Sequence, residues 1–92
     1  MKIKLKTVGI LGDAIRDETF SRVADEWKLG DFFRLLMERY GDLIQEHLMP
    51  GGRHYRHYAI LVNGVNIHRL GEMETVLRDG DQVAVLTMVT GG

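Results

Sequence analysis

The chain has 92 residues, enough for one hydrophobic core without disulfides or metals and too few for two. Hydrophobic residues make up 45%, and 12 basic against 13 acidic residues leave a formal charge of -1, a balance that calls for neither a nucleic-acid partner nor an anionic membrane. Cysteine is absent, which excludes a disulfide scaffold, a thiolate metal site and a cysteine nucleophile, and agrees with a reducing cytoplasm. No apolar run approaches the length of a membrane span, and the start lacks the continuous apolar core of a signal peptide, so a soluble, unprocessed cytoplasmic chain is expected.

The opening residues alternate, with Lys2, Lys4 and Lys6 on one face and Ile3 and Leu5 on the other, which predicts a half-buried strand. Gly9 and Leu11-Gly12-Asp13 suggest a bulge or bend, and Arg16-Asp17-Glu18 a solvated turn. Thr19 to Trp27 is read as a second, weaker strand interrupted by Asp25-Glu26. From Leu29 to Tyr40 the period changes: Leu29, Phe32, Phe33, Leu36, Met37 and Tyr40 recur at spacings of three and four, the apolar stripe of a helix. Gly41 caps it, and Asp31 and Arg39 stand at the ends where their charges complement the helix dipole.

A shorter helix is expected from Asp42 to Leu48, broken by Pro50-Gly51-Gly52. Tyr58 to Val62 is a compact strand-forming run, Asn63-Gly64 a tight turn, and a short return strand follows through Ile67. Leu70-Gly71-Glu72 and Asp79-Gly80-Asp81 are read as turns, and Gln82 to Met88 as a final strand dense in valine and leucine. This order buries the helix stripe against one face of a mixed sheet, an α+β layer architecture of four to five strands on one main helix.

The chain ends in Gly91 and Gly92. Without a Cβ, each lets another backbone approach closely and fits a channel too narrow for other residues. An extended Thr87 to Gly92 segment reaches roughly 20 Å, far enough to enter a neighbour's active site. A diglycine end by itself is also what ordinary fraying produces, so its meaning depends on what precedes it.

Leu61-Val62-Asn63-Gly64, then Asp79-Gly80-Asp81-Gln82-Val83-Ala84-Val85-Leu86, ending in Gly91-Gly92, resemble the ubiquitin-related β-grasp sulfur carriers, whose nearest members are the small subunit of molybdopterin synthase and the thiamine-pathway sulfur carrier. Leu29-Gly30-Asp31-Phe32-Phe33-Arg34-Leu35-Leu36 with Arg39-Tyr40-Gly41 is similar to their helix. The family often has prolines where this chain has Thr87-Met88-Val89-Thr90, and the stretch from Gly9 to Trp27 is longer than its pattern.

The resemblance implies a β-grasp domain over residues 1–92 with a flexible tail from about residue 89, and a protein that is a substrate rather than an enzyme. A partner would use ATP to adenylate the Gly92 carboxylate, and a sulfur donor would displace AMP to give a thiocarboxylate. A synthase large subunit or another sulfur-accepting enzyme would take the sulfur, in biosynthesis of a molybdopterin-type cofactor, thiamine or a related molecule. No cofactor is expected on the chain itself, since Gly51-Gly52 lacks the lysine and helix of a phosphate loop. Gly91, Thr90, Val89 and Met88 would contact the partner, because one of Met88 and Val89 must point away from the core beside the tail. The same tail suits a ubiquitin-like modifier joined to lysines through Gly92, and a β-grasp binding subunit that is never activated is the third alternative.

Other clusters have plainer readings. His54 and His57, with His47 and His68, invite a metal, but they lie on a loop entering a strand without a fixed third ligand, and no metal is assigned. Arg53 and Arg56 are read as a solvated basic loop, and Asp79 and Asp81 as turn formers rather than an acid pair.

Overall fold

The alternation at the start of the chain becomes strand β1, Lys2–Val8, with Ile3 and Leu5 buried and all three lysines exposed. The computed structural model describes residues 1–8, 14–22 and 26–87, so the bend expected at Gly9 and Leu11–Asp13 lies outside the described residues. After β1 come β2, Glu18–Ser21, β3, Trp27–Lys28, helix α1, Leu29–Tyr40, and helix α2, Asp42–His47. A 3-10 turn at Tyr55–His57 leads into β4, Tyr58–Val62, and β5, Val65–Asn66. Two further 3-10 turns, Ile67–Arg69 and Glu72–Glu74, precede β6, Val76–Leu77, and β7, Gln82–Thr87.

The main sheet has the order β2-β1-β7-β4-β5, mixed because β1 and β7 are parallel and the other pairs antiparallel. This is the α+β arrangement expected, with α1 as its main helix. Four residues of that helix, Leu29, Phe32, Phe33 and Leu36, are fully buried, while Met37 and Tyr40 pack at the margin. They meet Ile3 and Leu5 of β1, Tyr58, Ile60 and Val62 of β4, and Val83 and Val85 of β7. Burial of this much apolar surface is the dominant stabilising term.

The strand expected over Thr19–Trp27 is instead two strands in two sheets. Phe20 lies in β2 beside Ile3, whereas Trp27 lies in β3, which pairs with β6 as a separate ribbon. Both rings pack edge-on against Phe32, at centroid distances of 5.3 and 5.2 Å. One aromatic on α1 therefore anchors two elements, and the edge-to-face geometry adds to the area buried. The remaining turn at Leu70-Gly71-Glu72 runs on into the 3-10 turn at Glu72–Glu74.

Asp79 and Asp81 do the work of turn residues. Asp79 accepts the Lys2 N–H at 2.7 Å, and Asp81 accepts the Arg78 N–H at 2.8 Å and the Asn63 side-chain amide at 2.9 Å. Asn63 in turn accepts the Gln82 N–H at 3.0 Å. The two carboxylates thus fix where β7 starts relative to β1 and β4, which sets where β7 ends.

Behind α1, the Gly41 N–H caps the helix by donating to the Met37 carbonyl at 2.7 Å, and α2 buries Ile44. The chain then doubles back along α2, with the Gly52 N–H on Met49 and the His54 N–H on the Glu46 carbonyl, both at 2.9 Å. A Cβ at Gly52 would collide with the carbonyl oxygens of Gln45 and Glu46, which are helix backbone and have no room to yield. Gly52→Ala is therefore expected to cost about 1–3 kcal/mol, read as a lowered midpoint in urea unfolding.

Candidate functional site

The tail is rooted in the centre of the sheet. β7 is paired on both flanks through its last turn of strand: Val8 of β1 stands beside Leu86, and Tyr58 of β4 beside Thr87. The Thr87 hydroxyl also donates to the Val8 carbonyl at 3.3 Å. A segment leaving from such a strand starts from a fixed point and a fixed direction, since both neighbours hold the backbone. Met88, Val89, Thr90, Gly91 and Gly92, the residues that sequence reading assigns to the tail and its contacts, lie outside the described residues.

Beside the root is a surface that sequence reading misses. Residues paired side by side share a face, and Val8, Leu86 and Ala59 stand in one row across three strands, with Ala84 and Leu61 in the next. This face is turned away from α1, as the exposed Lys4 and Lys6 of β1 show. Val8 is 51% exposed, and Leu86, Ala59 and Leu61 are half-buried. The result is an apolar strip that runs to the root of the tail with lysines along its flank. The signal was present in β7, where apolar residues occupy both parities of the strand rather than alternate ones.

On the other flank of the root, Tyr58 joins a cluster of imidazoles. Its hydroxyl is 2.9 Å from Nδ1 of His47, whose ring stacks on His54 at 4.7 Å, and His54 lies 5.4 Å from His57. Stacked rings present faces to one another, whereas a metal needs nitrogens converging on a point. Among the described residues no group of three or more histidine or carboxylate side chains is arranged to hold a metal ion. His68 is not part of this stack and stands 3.1 Å from Glu72.

Burial, and then the neighbouring His54, hold the His47 imidazole below its usual 6.5, with Glu46 opposing and His57 adding to the effect. Burial also raises the Tyr58 phenol, so the hydroxyl beside a neutral His47 stays protonated. The folded state therefore binds its His47 proton more weakly than the unfolded chain does. Stability from this group is present above about pH 6.5 and lost as pH falls below that value toward the lowered one. Thermal midpoints measured between about pH 7.5 and about pH 5 should fall, and His47→Gln should flatten that part of the curve.

A mixed five-stranded sheet wrapped on one main helix, with the final strand central and leading to a diglycine end, defines a ubiquitin-like β-grasp protein. The ThiS family matches residues 9–92. The chain is 31% identical to small archaeal modifier protein 3 of Haloferax volcanii over 93 residues, covering all of both chains. It therefore belongs to the ThiS family, whose ubiquitin-like members are sulfur carriers and modifiers. Among solved structures it resembles small archaeal modifier protein 1 from Methanosarcina acetivorans, at 25% identity over 99% of this chain and 96% of that one, with a TM-score of 0.74. It also resembles a chain in the complex of subunits 1 and 2 of the molybdopterin-converting factor from Helicobacter pylori, at 25% identity over all of both chains, with a TM-score of 0.60. No helix among the described residues is long and apolar enough to cross a membrane.

Proposed function

We propose that this protein is a sulfur carrier whose terminal Gly92 carboxylate is adenylated by a separate activating enzyme and converted to a thiocarboxylate. The carboxylate oxygen attacks the α-phosphorus of ATP and pyrophosphate leaves. A donor of sulfide-level sulfur, HS⁻ or its equivalent, then attacks the carbonyl carbon of the resulting mixed anhydride, the C–O bond to AMP breaks, and AMP leaves the thiocarboxylate behind. Both steps need a partner, because a free carboxylate is a poor acceptor and nothing on this chain is assigned to hold ATP. The protein's own contribution is presentation: a narrow end, a fixed root and a surface for docking.

The observation that carries this reading is the placement of the root, with β7 held on both sides up to Thr87 and an open apolar strip of Val8, Leu86 and Ala59 beside it. An enzyme that takes in the tail has to bring its own surface against that strip, and Met88 and Val89 continue the chain from it. A synthase large subunit or another sulfur-accepting enzyme is proposed as the recipient, in molybdopterin-type cofactor synthesis. The Helicobacter pylori structure, a complex of two subunits, supports that choice. Free ATP and the absence of cysteine fit a cytoplasmic setting.

The second reading, a modifier joined to lysines through Gly92, is favoured by the name of the Haloferax volcanii relative. Intact-mass measurement of the protein purified from its own cells separates the two. Exchange of one terminal oxygen for sulfur supports the carrier. Branched Gly-Gly remnants on lysines of other proteins, without that exchange, support the modifier and overturn the carrier.

A further inference from the structure

One cleft in the structure holds about 860 Å³, within the size range of small-ligand sites. Its wall is the segment that doubles back from α2, Gly51, Gly52, Arg53, Tyr55 and Arg56, and Tyr58, Asn66 and His68 line the rest. Arg53 and Arg56 are exposed, and among the described residues neither takes part in an ion pair. Three other concavities have their counter-charges built in, whereas a small one of about 240 Å³ at Met1, Lys2, Ser21 and Arg22 has none. The one at Lys4 and Lys6 includes Asp17 and Glu18, the one at Arg16 and Arg39 includes the same two acids, and the one at Arg22 and Arg34 includes Asp31 and Glu38. The wall of the large cleft carries two guanidinium groups and no carboxylate. Glu72 does not line it and is engaged by His68 at 3.1 Å.

We propose that this cleft binds a phosphoryl oxyanion, either free phosphate or the phosphate of a mononucleotide-sized ester. The chemistry of the lining fits that class. Guanidinium groups bind phosphate through paired N–H donors and stay charged at any working pH. Asn66 has its side-chain oxygen occupied by the His68 N–H at 2.9 Å, which leaves its NH₂ group to donate into the cleft. Tyr55, half-buried on the same wall, offers an aromatic face for the flat part of an ester. The Gly52 N–H on the Met49 carbonyl and the His54 N–H on the Glu46 carbonyl tie this wall to α2, so the two arginines are carried on an anchored segment. Nothing in this site depends on the tail or on its activation.

The test is a two-dimensional ¹H–¹⁵N NMR titration of the full chain with inorganic phosphate, pyrophosphate and AMP, each against sodium chloride at equal ionic strength. Saturable shifts confined to residues 51–58 and 66–69, with a Kd of about 1 mM or tighter, are the expected result. Arg53→Ala combined with Arg56→Ala should weaken binding about tenfold or more with the melting temperature unchanged, both side chains being exposed. Tighter binding of AMP than of phosphate assigns the ester, and equal binding assigns the free anion. Non-saturating shifts, shifts spread equally to Lys2, Lys4 and Lys6, or an undiminished affinity in the double variant would overturn the proposal.

Discussion

Deletion of Gly91 and Gly92 is expected to abolish adenylation and thiocarboxylate formation altogether while leaving the fold untouched. The two halves of that expectation rest on different observations. The buried core ends with Val85, and the last described ladder contacts are those of Leu86 and Thr87. Glycine has no side chain to bury, so the melting temperature should move by less than about 2 °C. The chemical half follows from reach. At about 3.3–3.6 Å per residue, losing two residues withdraws the carboxylate by roughly 7 Å, far more than the misplacement that already costs an active site dearly. It also replaces a side-chain-free end with Thr90, whose β-branched side chain fills space that a narrow channel lacks. Pyrophosphate exchange with the cognate activating enzyme measures the first effect and calorimetry the second. If cells carrying the truncated chain keep the dependent cofactor, the protein is a binding subunit whose end is never activated, and the carrier reading fails.

Much of this fold is legible in the sequence because its largest elements are long enough to show a period. The lysine alternation in β1 and the stripe of α1 each span several repeats of their pattern, and the structure buries Ile3 and Leu5 and four of the six stripe residues, with Met37 and Tyr40 at the margin. The ribbon of β3 and β6 is invisible for the opposite reason. Each strand has two residues, and no period can be read from two. Phe20 and Trp27 then look like one broken strand, since nothing local reveals that both are placed by Phe32, a residue downstream of them.

The candidate site divides in the same way. Its diglycine end is local and stands out, whereas the strip of Val8, Ala59 and Leu86 assembles from three strands and exists only once their register is set. The His47 contact with Tyr58 spans a loop that sequence spacing leaves open, and it packs His47 and His54 as a stack that spacing alone does not reveal. The arginine cleft is the sharpest case. Arg53 and Arg56 read as a solvated loop, and only the return of that loop along α2 gives them a wall to stand on.

Phe32→Ala should bring the domain to the edge of unfolding. Phe32 is fully buried and is the one ring touched edge-on by both Phe20 and Trp27, with Phe33 a further 6.1 Å away. Truncating a buried phenylalanine costs about 3–5 kcal/mol through lost transfer energy and the cavity left behind. Two edge-to-face contacts add to that, each worth about 0.5–1.5 kcal/mol beyond the area. Small domains have only about 5–15 kcal/mol in total, so the variant should be partly unfolded near room temperature or melt far below the wild type. Because the ring anchors β2 and β3 from one helix, the damage should reach both elements, and amide exchange should accelerate in Glu18–Ser21 and Trp27–Lys28 together. Val8→Ala, at a site 51% exposed, provides the contrast and should shift stability by no more than about 0.5 kcal/mol. Urea unfolding of the three proteins decides the matter. A loss under about 1 kcal/mol for Phe32→Ala would mean that the aromatic cluster is not the centre of the core.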